Sequence, residues 1–208
     1  MEEKLVYSDI LRTAWKGLIS QFWLLVGLII GFTIVYSLLY IFSLPAKGES
    51  MTTSGIIISL LCWLLLSLFQ LGYMKNCFQT LDGEEPQFSS YGQVSRKLFS
   101  YLVASIIFTL IIAIGIVLLV VPGIYLALRL QFFFASMVDE NTGIIESFKR
   151  SWEITKGHTM KLFIIMLIMT LISITGELAL LAGIFVAIPL IVLMYGYIFR
   201  GLTAPAAS

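Results

Sequence analysis

Two charges stand where charges are rare. Arg129 interrupts the apolar stretch "VVPGIYLALRLQFFFASMVDE" (Val120–Glu140), and Glu177 interrupts a second apolar stretch running from Leu162 to Phe199. An unpaired arginine near the centre of a membrane helix costs about 2.5–3.5 kcal/mol on insertion scales, so a partner is expected, and Glu177 is the one acid inside a span. Arg129 lies six residues after Gly123 and Glu177 six residues before Gly183. With chain reversals at those glycines, the two side chains reach one depth and pair inside the bundle. Gln131 stands beside the pair as a supporting polar group, and Gln70, nearer the end of the second apolar stretch, is a further hydrogen-bonding group. Three meanings stay open for the pair: a structural clasp between helix pairs, a ligand or ion site, or an arginine snorkelling to the outer interface. A proton relay fits least, because arginine keeps its proton in proteins.

The remaining reactive side chains assemble into no reaction. The single histidine, His158, excludes a His-cluster metal centre, and Cys62 and Cys77 are too scattered for a disulfide framework or a zinc site. No phosphate-binding glycine loop occurs. A serine nucleophile has no base held by an acid. The acids of "LDGEEPQF" (Leu81–Phe88) read as a solvated turn, and those of "MVDENTG" (Met137–Gly143) as a helix end followed by the next helix's cap. The expectation is a protein without metal, without cofactor and without catalytic activity. A net charge of +1 gives no electrostatic case for nucleic acid.

Composition says what must position these residues. Of 208 residues, 59% are hydrophobic and 12% charged, with a mean hydropathy of +0.99; a soluble domain carries ~25% charge. The chain belongs in a membrane. Four apolar stretches are visible, Phe22–Leu44, Ile56–Tyr73, Tyr101–Val138 and Leu162–Phe199. The last two, as single helices, extend ~57 Å at 1.5 Å per residue, against a hydrocarbon core of ~30 Å, so each folds back. Pro122-Gly123 is the turn of the first and Gly183 that of the second. The fold class is therefore all-α integral membrane, with six transmembrane helices as three hairpins. Residues 1–208 form a single membrane domain with repeats at 5–76, 88–138 and 143–200. A shift of 60 residues superposes Gly123-Ile124 on Gly183-Ile184, and Trp15 matches Trp152 in similar surroundings.

A short amphipathic helix precedes each hairpin. "GIIESFKRSWEITKG" (Gly143–Gly157) sets Ile145, Phe148, Trp152 and Thr155 on one face, with Lys149, Arg150, Glu153 and Lys156 largely on the other. "SDILRTAWKGL" does the same with Leu11, Trp15 and Leu18, and Ser8 is its candidate N-cap; "SSYGQVSRKLF" is the shorter middle copy. Tryptophan and basic residues beside a span anchor a helix in the interface, so Trp15, Trp152, Lys149, Arg150 and Lys156 are the expected anchors. Eleven of the 13 lysines and arginines fall on the side of the termini; Lys47 lies opposite and Arg129 within the membrane. The positive-inside rule then places both termini and all three short helices in the cytoplasm, as in a multi-pass protein of a bacterial inner membrane.

The residues from "VPGIYLALRLQFFFASMVDE" to "SFKRSWEITKGHTMKLF" resemble a loose set of bacterial multi-pass membrane families. These include the membrane domain attached to some glycerophosphoryl diester phosphodiesterases. The likeness rests on Pro122-Gly123-Ile124, Arg129, Val138-Asp139-Glu140, Ser151-Trp152 and Lys156-Gly157-His158, about a third of the chain. It implies a multi-pass helical topology and, since the phosphodiesterase chemistry belongs to a separate soluble domain, no activity. The functional expectation is a protein that organises or regulates membrane partners at its cytoplasmic face or senses the bilayer; the alternative is a small transporter, channel or lipid-handling protein for an anionic or amphipathic solute. The sequence leaves the oligomeric state open.

Overall fold

The computed structural model describes residues 6–45, 50 and 52–204. Lys4 and Lys47 lie outside the described residues. In chain order the helices are α1 (Tyr7–Ser20), α2 (Phe22–Ile41), α3 (Thr53–Leu81), α4 (Ser89–Ser95) and α5 (Leu98–Leu118). They continue with α6 (Val120–Leu130), α7 (Phe133–Asp139), α8 (Ile144–Ile154), α9 (Thr159–Leu178) and α10 (Leu180–Thr203). Among the described residues, six helical segments are long and apolar enough to cross a membrane; α6 and α7 together make one of them. The chain is a multi-pass, all-helical membrane protein.

Where the chain reverses differs from the sequence expectation. The break between α5 and α6 is the single extended residue Leu119 (φ −162°, ψ 137°), and the break between α9 and α10 is Ala179. Pro122 is the third residue of α6, inside the first turn, where no intrahelical N–H bond is lost. Gly123 and Gly183 serve packing instead. A Cβ on Gly123 would lie 2.7 Å from the backbone nitrogen of Ile116, and one on Gly183 would lie 2.3 Å from the carbonyl oxygen of Gly176. The glycines let antiparallel neighbours touch backbone to backbone just beyond each turn.

One end of the molecule is a packed base. At 29 residues α3 extends ~43 Å, more than the ~30 Å of hydrocarbon, and its last turns enter that base instead of ending near Tyr73. Leu71, Met74 and Phe78 of α3 pack there with Ile10, Ala14 and Leu18 of α1, Phe132 between α6 and α7, and Leu193, Ile198 and Phe199 of α10. Arg200 ties the same helices, pairing with Asp82 at the end of α3 and with Asp139 of α7 (2.9 Å), its guanidinium over the Phe78 ring at 4.9 Å. Lys97 donates to the carbonyls of Asn141 and Thr142 at 2.8 and 3.1 Å. The opposite, tip end is little packed. Val117 is 85% exposed and Leu178 78%, and Ile34, Leu38, Leu110, Ile114 and Leu171 are also exposed.

Gly123→Ala is expected to cost about 1–3 kcal/mol of stability through overpacking, seen as a lower thermal unfolding midpoint in detergent. Gly27→Ala, where an added Cβ meets nothing within 4 Å, is expected to leave it unchanged or raise it. Parallel circular-dichroism melts of the two variants make the comparison.

Candidate functional site

Arg129 is built into the structure by the helix that follows it. α8 turns back at Asn141–Gly143 and runs antiparallel along α7 and the end of α6, with Phe148 stacked on Phe133 at 5.1 Å between ring centroids. Asn141 takes a left-handed conformation (φ 58°) in this turn, and the Gly143 N–H donates to the Glu146 carboxylate at 3.3 Å. Arg150 locks the turn through Nε and Nη2 on the Glu140 carboxylate at 2.7–3.1 Å, and these hydrogen bonds hold its guanidinium above the ordinary arginine range.

Between α6 and α7 the helix is broken at Gln131–Phe132, which frees backbone groups inside an apolar segment. Each finds a side chain. Ser151 Oγ donates to the Arg129 carbonyl (2.9 Å) and accepts from the Phe132 N–H (3.0 Å); Thr155 Oγ1 also reaches the Arg129 carbonyl (3.2 Å). Gln131 Nε2 turns back to the Leu128 carbonyl (3.1 Å), and the Tyr195 hydroxyl of α10 donates to the Gln131 carbonyl (2.5 Å). Buried backbone polar groups demand such partners, and the break is thereby sutured to α8 and α10.

The Arg129 side chain lies 4.2 Å over the Trp152 ring and is 3% exposed; Trp152 in turn meets Tyr125 edge-on at 6.1 Å. Nε of Arg129 is buried without a hydrogen-bond partner. Among the described residues no acid pairs with Arg129. The expected Arg129–Glu177 pair is therefore absent, and Glu177 is exposed. The reason is the position of the turns. Counting from Leu119 and Ala179 rather than from the glycines puts Arg129 ten residues from its tip and Glu177 two from its own, ~15 Å against ~3 Å. Arg129 instead stands beside the end of α8 and the start of α9.

The other expected residues are placed individually. Gln131 supports the helix break and not the guanidinium, and Gln70 accepts from the Tyr101 hydroxyl at 2.8 Å, away from Arg129. Lys149 and Lys156 are exposed; Trp15 and Trp152 are 47% and 39% exposed. The expected apolar faces of the short helices divide: Leu18 and Thr155 turn inward, and the tryptophans stay outside. α8 buries Ser147, Ser151, Ile154 and Thr155, leaving Ile145 and Trp152 outside, and α1 buries Ile10, Ala14 and Leu18, leaving Leu11, Trp15 and Ile19 outside. Ser8 lies within α1, whose N-cap is Val6. The sequence signal for the suture is present, since Ser147, Ser151 and Thr155 recur every four residues as a stripe of small hydroxyls. The sequence reading also has no place for Gly27 and Gly31, four apart on α2, which line an apolar groove of about 530 Å³ with Trp23, Phe32, Phe69 and Tyr91. Among the described residues no three His, Cys, Asp or Glu side chains gather where they could hold a metal.

Residues 88–207 match a family described as "Domain of unknown function (DUF7847)", a region that takes in α4 to α10 and so the whole Arg129 environment. "Uncharacterized protein Rv2560" of Mycobacterium tuberculosis and "Uncharacterized protein Mb2590" of Mycobacterium bovis are each 27% identical over 132 residues, covering 64% of this chain and 40% of theirs. The match thus spans less than half the length of these curated relatives. No solved structure matches.

Ser151→Ala leaves the buried Phe132 N–H without its partner and the Arg129 carbonyl with Thr155 alone, an expected loss of about 1–3 kcal/mol. Trp152→Ala uncovers a desolvated guanidinium, an expected loss of about 2 kcal/mol. Glu177→Gln is expected to leave stability unchanged. Unfolding in mixed micelles of graded denaturing strength ranks the three variants.

Proposed function

Since the chain belongs to the DUF7847 family, described as a domain of unknown function, we propose its role from geometry: a non-catalytic membrane protein that senses the bilayer through lipid-embedded hairpins held on a rigid base. One observation carries this reading, the contrast between the packed base and the exposed tips. Apolar side chains such as Val117, Leu118, Leu171 and Leu178 have lipid as their surroundings. In a membrane that exposure is comfortable, because lipid tails are as apolar as the side chains.

The three hairpins are α2–α3, α5–α6/α7 and α9–α10, and α1, α4 and α8 are the short helices before them. The base lies at the cytoplasmic face with both termini, supported by the lysine and arginine distribution. There the outward stripes Leu11-Trp15-Ile19 and Ile145-Trp152 enter the headgroup boundary, flanked by Arg12, Lys16, Lys149 and Lys156. A change in hydrocarbon thickness is met by tilting of apolar helices. Hairpins joined only at the base convert that tilt into a movement at the cytoplasmic surface, where a partner can read it. The burial of Arg129 under Trp152 argues against a solute route through that residue. Kinship with the membrane domain of glycerophosphoryl diester phosphodiesterases is part of the same proposal. It is supported by the segment from Pro122 to His158, inside the matched region, and it brings no activity with it.

Nitroxide labels at Val117 and Leu178, in a chain with Cys62 and Cys77 replaced by alanine, test the reading by pulsed electron paramagnetic resonance. In short-chain and long-chain phosphatidylcholine bilayers the tip-to-tip distance is expected to differ by several ångströms. A pair in the base, Gln93 and Glu153, is expected to stay fixed. Tips as invariant as the base would overturn the proposal.

A further inference from the structure

Arg129 carries a charge that the protein leaves unanswered. The residue is 3% exposed, its Nε has no hydrogen-bond partner, and no described acid pairs with it. The Trp152 face compensates part of the charge, about 2 kcal/mol for a desolvated cation–π contact. A buried guanidinium needs more, and it is strongest when its planar donors meet a phosphate or carboxylate. The Arg129 carbonyl is already taken by Ser151 and Thr155, so the backbone is held in place while the guanidinium has no anion among the described residues.

A groove begins beside it. Val121, Ile124, Tyr125 and Leu128 of α6 face Met160 and Phe163 of α9 across an apolar cavity of about 310 Å³. Tyr125 is the residue that packs against Trp152, and Leu128 precedes Arg129, so the groove ends within one residue of Arg129 and runs along α6 towards the Leu119 turn. The polarity is that of a phospholipid in the base-side leaflet. Charge sits where α8 ends and α9 begins, with the exposed Lys156 in the connection, and apolar walls lead toward the hydrocarbon.

We infer that Arg129 and the α6–α9 groove form a binding site for one anionic phospholipid, its phosphate held by the guanidinium and one acyl chain lying along the groove. The lipid supplies the counterion that Glu177 does not. A headgroup with no cationic amine is favoured, because the exposed Lys156 already makes the neighbouring surface basic. The site does not depend on hairpin tilting and stands or falls separately from it.

The test uses the full chain reconstituted in nanodiscs of phosphatidylcholine with a minor fraction of phosphatidylglycerol, then native mass spectrometry after transfer to detergent. Wild type is expected to retain one phosphatidylglycerol in preference to phosphatidylcholine. Arg129→Gln is expected to retain it roughly tenfold less, the effect of losing a charge-assisted hydrogen bond, and Lys149→Gln as well as wild type. Should Arg129→Gln not fold, Ile124→Trp fills the groove from its partly exposed wall and is expected to release the lipid as well. Equal retention by a folded Arg129→Gln, by Ile124→Trp, or no preference in wild type overturns the inference. A thermal midpoint raised as much by inorganic phosphate as by phosphatidylglycerol replaces the lipid with a small anion and overturns it too.

Discussion

The break between α6 and α7 is the constraint on which the rest of the structure depends. A helix interrupted inside an apolar segment exposes a carbonyl and an N–H that hydrocarbon cannot satisfy. Ser151 serves both Arg129 O and Phe132 N, which requires α8 to lie flush along the broken helix. Once α8 lies there, its charged residues come alongside α7, and Arg129 finds itself beside the end of α8 and under Trp152. The first turns of this span, Val120–Tyr125, are exposed apart from Gly123, while Leu128–Leu130 and most of Phe133–Asp139 are buried.

This explains why an arginine sits near the middle of so apolar a run. The run is one helical span by hydropathy and two environments by packing. Trp152 comes with the same docking, since Ser151 and Trp152 are adjacent on α8: one points to the broken backbone and the other over the guanidinium. Arg200 does a parallel service at the far side of the base. There two acids from α3 and α7 answer the cation completely, and the contrast makes the missing anion at Arg129 conspicuous.

Much of this was legible in the residues, and the parts that were not share a physical cause. Segment lengths against bilayer thickness gave the six apolar helices and the need to fold back at two places. The reversal points were read four residues late, because glycine at Gly123 and Gly183 signals a turn in water but close helix contact in a membrane. That error moved Arg129 and Glu177 towards each other by eight residues in all, enough to suggest a pair that the structure lacks. The apolar faces of α1 and α8 were grouped too broadly for a related reason. Leu11, Trp15 and Trp152 do lie outside, where lipid is available, but Leu18 turns inward, and the small hydroxyls of α8, Thr155 among them, are the groups that need the interior. The stripe Ser147, Ser151, Thr155 was visible as a spacing, but nothing in the sequence showed that α6–α7 would break opposite it.

The depth of Trp152 decides whether the interface reaches Arg129. In a chain whose Trp15, Trp23 and Trp63 are replaced by phenylalanine, Trp152 fluorescence can be quenched by phospholipids brominated at different positions along their acyl chains. Strongest quenching by bromine close to the headgroups is the expected result, with weak quenching by bromine near the chain ends. Strongest quenching from the chain ends would place Trp152 and the guanidinium under it at mid-bilayer, and would contradict the docking of α8 as the element that brings the interface to Arg129.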